Sequence, residues 1–167
     1  MKHRAPLTSF AALVTFALIA SVPSLSAEPD AATRLAAERV AVGTCANCHG
    51  WRGVSIAPKF PVLAGQNAQY LLAQLQAFKA QTRGDPDALG YMWGMSAPLD
   101  DSLMAALADY YSRQTPATGR RGNPELIAHG QAIYQHGDAA HGIPPCAVCH
   151  GPMATGTDQF PRLAGQH

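Results

Sequence analysis

The 167-residue chain carries 12 Lys and Arg residues against 11 Asp and Glu, so its formal net charge is only +1. This balance provides no extended basic surface, which excludes a function that depends on binding nucleic acid. Aromatic residues make up only 7% of the chain, so we expect something besides side-chain packing to help fill its interior.

The first 27 residues have the pattern of a secretory signal peptide. Lys2 and Arg4 form a basic start, residues 10–20 are almost entirely apolar, and small residues near position 27 offer a cleavage site. The apolar run is too short to span a bilayer comfortably, although a retained amino-terminal anchor is the alternative. We therefore predict that residues 1–27 are a signal peptide and that the mature protein is exported.

Residues 31–42 are rich in Ala, Leu and Arg and contain no Gly or Pro, which predicts a helix that ends at Gly43. This helix leads into the sequence Cys-x-x-Cys-His at residues 45–49. The same five-residue motif occurs again at residues 146–150.

A Cys-x-x-Cys-His motif is typical of covalent haem attachment. On a helix, its two cysteines and its histidine fall at positions i, i+3 and i+4, so both sulfurs and the imidazole share one face. The thiols can then form thioethers to one porphyrin while the histidine ligates its iron. Two disulfides, a thioredoxin-like pair or a zinc site would leave both histidines unexplained. We predict two haem c groups, attached through Cys45, Cys48, Cys146 and Cys149 and ligated by His49 and His150.

A second repeated stretch follows each haem motif. Residues 60–66 read F-P-V-L-A-G-Q and residues 160–166 read F-P-R-L-A-G-Q. The copies are offset by 100 residues here and by 101 at the cysteines, so the intervening loops differ by a single deletion. Such self-similarity indicates that one haem-binding unit was duplicated. We predict a first domain over residues 28–113, a linker over 114–122 and a second domain over 123–167.

The rest of the chain has helical rather than strand patterns, which predicts an all-α protein. Residues 85–98 contain Gly, Pro and Met without a clean period and are predicted to form a loop. Further helices are predicted over residues 70–83, from the N-cap Asp100 to Tyr111, and over residues 126–136 behind the N-cap Asn123 and Pro124.

Met92 and Met95 are the candidates for the second axial ligand of the first haem. A haem that only transfers electrons needs protein ligands on both sides of its iron, and methionine is the ligand that raises the potential. Either side chain could instead be a flexible filler of the core. We favour Met92 and keep Met95 as the alternative.

Through these motifs the chain resembles the cytochrome c4 family of dihaem cytochromes, which are built from two class I cytochrome c domains. The resemblance covers residues 31–167, including the Leu-Asp-Asp sequence that begins at Leu99. It implies that Met92 is the distal ligand, because the family's methionine lies seven residues before the matching leucine. It also implies that the carbonyl groups of Pro61 and Pro161 accept hydrogen bonds from the proximal histidines, and that Leu63 and Leu163 pack on the haem faces.

The resemblance implies a carrier of single electrons in the periplasm, with a cytochrome bc complex as donor and a terminal oxidase as acceptor. Such a carrier is peripheral to the membrane at most, and no catalytic residue is assigned. The alternative is a haem enzyme or gas-binding protein in which the second iron keeps an open position. A haem subunit that docks onto a dehydrogenase is a third possibility.

The second unit departs from the family pattern in its distal ligand. His49 and Met92 are 43 residues apart, and the same spacing from His150 ends about 26 residues past His167. Met153 is too close to His150 to reach the opposite face of the same porphyrin. We therefore expect the sequence to be a fragment or truncated form of a protein with a fuller second domain.

Overall fold

The computed structural model describes residues 28–167, so the predicted signal peptide lies outside the described residues. Within this range the chain is helical and has no strand apart from an isolated bridge between Asp138 and Ile143. This confirms the predicted all-α class. None of the helices in residues 28–167 is both long enough and apolar enough to cross a membrane. The helices are α1 (Ala31–Val40), α2 (Ala46–His49), α3 (Ala68–Lys79), α4 (Trp93–Ser96), α5 (Asp101–Ser112), α6 (Pro124–His136) and α7 (Ala147–His150).

The sequence predicts that the first helix ends at Gly43, but in the structure it continues past this residue. Asp30 begins α1 by accepting a hydrogen bond from the backbone N–H of Thr33 at 2.8 Å. After Val40 the chain continues through a π-helical turn, Ala41–Cys45, directly into α2. Gly43 does not take the left-handed conformation with which a glycine usually ends a helix. The predicted end was therefore wrong, and the first haem motif is held on an extension of α1.

Helices α1, α3 and α5 pack together around the core of the first half of the chain. Asp100 caps α5 as predicted, because its carboxylate accepts the backbone N–H of Leu103 at 2.8 Å. Small residues on α1 and α5 let the two backbones approach closely. The buried core residues of these helices are Ala37, Leu71, Met104, Ala106, Leu107, Ala108 and Tyr111.

The predicted loop over residues 85–98 is instead mostly helical. It contains a π-helical turn, Ala88–Met92, followed by α4. The carboxylate of Asp85 accepts the backbone N–H of Ala88 at 3.1 Å, and the indole of Trp93 donates to the carbonyl of Arg83 at 2.7 Å. Two glycines, Gly90 and Gly94, and the irregular turn obscure the helical period. A local cap at Asp85 and a bond between residues ten apart thus both stabilise this segment.

The two F-P-x-L-A-G-Q stretches contact each other directly. Gln166 accepts the backbone N–H of Val62 at 2.9 Å and donates to the carbonyl of Val62 at 2.8 Å. In return, Gln66 accepts the backbone N–H of Arg162 at 2.6 Å and donates to the carbonyl of Arg162 at 3.0 Å. Each glutamine thus binds the variable residue of the other copy. We call this reciprocal set of four hydrogen bonds the glutamine clasp.

The chain between the two halves crosses over the same region. Gly65 and Gly165 both have positive φ, +67° and +87°. A Cβ atom would clash with the side chain of Pro116 at the first position and with the carbonyl of Ala117 at the second. Glycine is therefore needed in both copies to let residues 116–117 pass against them.

Helix α6 begins and ends as the sequence predicted. Asn123 accepts the backbone N–H groups of Glu125 and Leu126, Pro124 is the first helical residue, and Gly137 follows the last. No residue of α6 is buried, and Leu126 is 70% exposed.

The loop after each haem motif is held by the same pair of backbone hydrogen bonds. In the first half, the carbonyl of Gly53 accepts the N–H groups of Leu63 and Ala64 at 2.8 and 3.1 Å. In the second half, the carbonyl of Ala154 accepts those of Leu163 and Ala164 at 2.9 and 3.0 Å. The repeated sequence therefore produces a repeated loop, which carries the proline of each copy.

We predict that Gly53→Ala lowers the free energy of unfolding by about 2 kcal/mol or more, because it combines a strained backbone with overpacking. Gly53 has φ +80°, and a Cβ there would lie 2.8 Å from Cδ1 of Tyr111 and 3.0 Å from the backbone nitrogen of Ala64. Denaturant titration followed by far-ultraviolet circular dichroism measures the change. The matched control is Gly84→Ala, where φ is not positive and nothing lies within 4 Å; equal losses in both variants would refute the packing argument.

Candidate haem sites

The first haem motif has all three functional side chains on one short helix. Cys45 precedes α2, while Cys48 and His49 lie within it, and Gly50 ends the helix with φ +76°. All four cysteines of residues 28–167 are free thiols rather than disulfides. Burial raises the pKa of Cys45, opposed in part by a hydrogen bond with Tyr111, so this cysteine is a neutral thiol. It lacks the low pKa of a redox-active Cys-x-x-Cys pair.

His49 is buried and fixed in one orientation. Its Nδ1 donates a hydrogen bond to the carbonyl oxygen of Pro61 at 2.9 Å, and the ring is only 7% exposed. Because a carbonyl can only accept, the proton must be on Nδ1, and the lone pair of Nε2 is free for a metal. Burial lowers the pKa of His49, although the Pro61 carbonyl opposes the shift. The imidazole is therefore neutral, as an iron ligand must be.

The second motif repeats this arrangement. His150 ends α7, and its Nδ1 donates to the carbonyl oxygen of Pro161, also at 2.9 Å. Each histidine is packed against the phenylalanine before its proline, with ring centroids 6.1 Å apart for His49 and Phe60 and 5.8 Å apart for His150 and Phe160. The hydrogen bonds that the resemblance implied for both prolines are thus present.

The segment that contains Met92 lies beside the first histidine. Phe60 contacts His49 with one edge and Tyr91 with another, the centroids of Phe60 and Tyr91 being 5.9 Å apart. Lys59 next to Phe60 forms an ion pair with Asp87 at 2.7 Å. Together these contacts attach the π-helical turn Ala88–Met92 to the loop that orients His49.

The two candidate methionines differ in exposure. Met92 is half-buried at the end of the π-helical turn, whereas Met95 is 53% exposed. One turn after Met92, the hydroxyl of Ser96 is fully buried and has no hydrogen-bond partner among the described residues. A buried polar atom without a partner usually indicates an additional group nearby. Ser96 lies next to Met95 and one turn from Met92, so it does not separate the two candidates, and only the lower exposure of Met92 distinguishes it from Met95.

The residues present fit a covalently bound haem at both motifs. Each site provides two free thiols, an imidazole that is held through Nδ1 and has Nε2 available, and apolar residues from the following loop. Leu63 packs against the hydrophobic core, while Leu163 is 38% exposed. One histidine nitrogen for the iron and two cysteine sulfurs for thioether bonds to the porphyrin are the groups that hold haem c.

Sequence reasoning missed the role of Gln66 and Gln166. The repeated sequence predicts roles only for its proline and its leucine. The available signal was that an uncharged polar residue recurs at the same place in both copies. Gln66 is 5% exposed and Gln166 is half-buried, and a buried amide side chain needs partners.

Comparison with known proteins agrees with this geometry. A family model described as cytochrome c matches residues 35–113. Cytochrome c4 of Azotobacter vinelandii is 40% identical over 163 residues, which cover 93% of this chain and 76% of that protein. The crystal structure of reduced recombinant cytochrome c4 from Pseudomonas stutzeri is 39% identical with a TM-score of 0.69, and the match covers 84% of this chain and 75% of that one.

A further relative is named as an enzyme's redox partner. The thiosulfate dehydrogenase electron acceptor of Thiomonas intermedia is 39% identical over 127 residues, covering 74% of this chain and 57% of that protein.

We predict that the exported chain carries two haems that acid–acetone extraction leaves attached, because thioether bonds are covalent. Intact-mass spectrometry should show two haem additions. Replacing Cys45 and Cys48 by alanine should remove one addition, and replacing Cys146 and Cys149 should remove the other. An unmodified chain carrying one haem or none would contradict the assignment.

Proposed function

This chain belongs to the cytochrome c4 family of dihaem electron-transfer cytochromes, and we propose that it carries single electrons in the bacterial periplasm without transforming a substrate. The observation that supports this most strongly is the repeated hydrogen bond from a proximal histidine to a proline carbonyl, at 2.9 Å in both copies. Such a bond keeps the ring orientation and protonation of the ligand unchanged, which suits an iron that changes only its oxidation state.

We propose that Met92 is the distal ligand of the first haem. When bound, the haem iron supplies a one-electron couple whose potential depends on its axial ligands and their hydrogen bonds. The thioether of Met92 would stabilise the reduced iron on one side, while His49 is held on the other. Cys45, Cys48, Cys146 and Cys149 would fix the two haems, and Leu63 and Leu163 would limit their contact with water.

The domain boundaries remain part of the proposal. Residues 28–113 contain a three-helix core with one complete haem motif. Residues 123–167 contain the second motif, and no helix occurs in 114–122. We propose that these are two cytochrome c domains joined by a linker, behind a signal peptide at residues 1–27.

We propose that a cytochrome bc complex reduces the protein and that a terminal oxidase reoxidises it. A dehydrogenase is the second candidate donor, because one relative is named as the electron acceptor of thiosulfate dehydrogenase. The alternative of an enzyme or gas-binding protein is less well supported, since the matched relatives carry the names of electron carriers and acceptors.

We predict that Met92→Ala weakens the sulfur-to-iron absorption band at the red end of the oxidised spectrum. The midpoint potential of the first haem should also fall by on the order of 0.1 V, within the range of about 0.8 V that axial ligands cover. Visible spectroscopy and a redox titration of the whole chain measure both effects. Met95→Ala is the matched control, and the assignment is wrong if only that variant has them.

The donor can be tested with membranes of the source cell. A quinol should reduce both haems, an inhibitor of the quinol-oxidising bc complex should abolish this reduction, and cyanide should prevent reoxidation by oxygen. Reduction by thiosulfate in a periplasmic extract, insensitive to the bc inhibitor, would instead identify a dehydrogenase as donor. Turnover of a small substrate by the purified protein would contradict the carrier function.

A further inference from the structure

In each half of the chain, a single peptide group is hydrogen-bonded on both sides. The carbonyl oxygen of Pro61 accepts the Nδ1 proton of His49 at 2.9 Å. The N–H of Val62 belongs to the same peptide group and donates to Oε1 of Gln166 at 2.9 Å. One peptide group thus connects the proximal ligand of the first haem to a glutamine from the other half of the chain.

The second half contains the reverse connection. The carbonyl oxygen of Pro161 accepts the Nδ1 proton of His150 at 2.9 Å, and the N–H of Arg162 in that peptide group donates to Oε1 of Gln66 at 2.6 Å. The proximal histidine of each haem is therefore linked to the glutamine of the opposite half. This crossed pattern follows from the glutamine clasp.

A peptide group transmits polarisation from one end to the other. Resonance gives its C–N bond partial double-bond character, so an acceptor at the N–H increases the negative charge on the carbonyl oxygen. Consecutive hydrogen bonds strengthen one another by about 10–30% each, and each bond is stronger where water is excluded. Val62 is 3% exposed and Gln66 is 5% exposed, so water does not compete effectively for these bonds.

The polarised carbonyl then affects the iron ligand. A stronger bond to the Nδ1 proton makes the imidazole more basic at Nε2. A more basic axial ligand stabilises the ferric state relative to the ferrous state and so lowers the potential, and hydrogen bonding around the ligand is one of the means by which a protein sets the potential of a haem.

We propose that Gln166 lowers the reduction potential of the haem ligated by His49, and that Gln66 lowers that of the haem ligated by His150. The contact between the halves would thus set both potentials in a crossed manner. This inference depends on the proposed function, in which both histidines are axial ligands. Gln66 and Gln166 are positioning residues and touch neither iron.

The test uses Gln166→Met and Gln66→Met in the full chain with both haems. Methionine keeps an unbranched side chain of similar length but cannot replace the two hydrogen bonds of the Gln166 amide or the three of the Gln66 amide, which also accepts the N–H of Asn67 at 3.0 Å. Gln166→Met should raise the reduced-to-oxidised ratio of the first haem about threefold at a fixed potential, which is about 28 mV at 59 mV per tenfold for one electron. The second haem should change much less, and Gln66→Met should give the opposite distribution.

Each potential is assigned to its haem by nuclear magnetic resonance during the redox titration. In the ferrous state, the Nδ1 proton of His49 should move upfield in Gln166→Met, because its hydrogen bond to Pro61 is weaker. This shift does not depend on electron-transfer activity. It also shows whether His49 is still ligated to iron, which separates failure of the tuning from failure of the proposed function.

A second pair of variants should change the reduction potential in the opposite direction. Gln166→Glu and Gln66→Glu, measured at pH 8, keep an acceptor for the peptide N–H and make it negatively charged. They should lower the reduction potential of the haem in the opposite half. A general weakening of the contact would instead change the potential in the same direction in the Met and the Glu variants. They also remain informative if the Met variants fail to fold.

Asn67→Ala is the matched control at the same contact. The amide of Asn67 donates to the carbonyl groups of Thr157 at 2.6 Å and Phe160 at 3.2 Å, but bonds to neither of the two peptide groups. Removing this amide should weaken the contact between the halves without changing the reduction potential of the haem in the opposite half. The proposal is overturned if Asn67→Ala reproduces the Gln variants, or if each Gln variant moves both haems equally or neither.

Discussion

The hydrogen bond from the histidine of each haem motif to a proline carbonyl joins that motif to the loop that follows it. For His49 it requires Pro61 to stay in place, which the backbone hydrogen bonds of the same loop to Gly53 ensure. That loop is in turn attached to α5, because the N–H of Gly65 donates to the carbonyl of Tyr111 at 2.9 Å. Helix packing in the core thus fixes the orientation of a ring that has only one free nitrogen for iron.

Duplication explains why the two halves fit each other. When a stretch contacts its own copy, the contacts come in pairs, as in a two-fold symmetric dimer. If position i of the first copy contacts position j of the second, then position j of the first contacts position i of the second. Val62 with Gln166 and Arg162 with Gln66 follow this rule. Joining the copies by a short linker keeps them at high effective concentration, so a few hydrogen bonds suffice to maintain the contact.

Those parts of the fold that depend on local chemistry could be predicted from the sequence. The sequence predicts the helix caps at Asp100 and Asn123, because a capping residue lies next to the helix that it begins. It predicts both haem motifs for the same reason, since the residues of each motif are consecutive in the chain. The helical turn that carries Met92 and the continuation past Gly43 were missed. Both are π-helical turns, which follow neither the helical nor the strand period.

The glutamine clasp could not be derived from the sequence for a different reason. The repeat shows that Gln66 and Gln166 recur, but not that the two copies meet, since that depends on how the linker directs the chain. Once they meet, Val62 in the middle of the contact is 3% exposed. Its N–H and carbonyl groups then both need partners, because an unpaired buried polar group costs about 1–3 kcal/mol.

An amide side chain serves both groups of one residue in such a contact, because it carries a donor and an acceptor side by side. Glutamate could accept from the N–H of Val62, but it could not donate to the carbonyl and would place a negative charge against that oxygen. Leucine or methionine would leave both groups unpaired. The amide of Gln166 accepts at 2.9 Å and donates at 2.8 Å to the same residue, in the manner of a neighbouring strand. The side chain that satisfies this backbone therefore bonds to the same peptide group that accepts from His49, the proposed iron ligand.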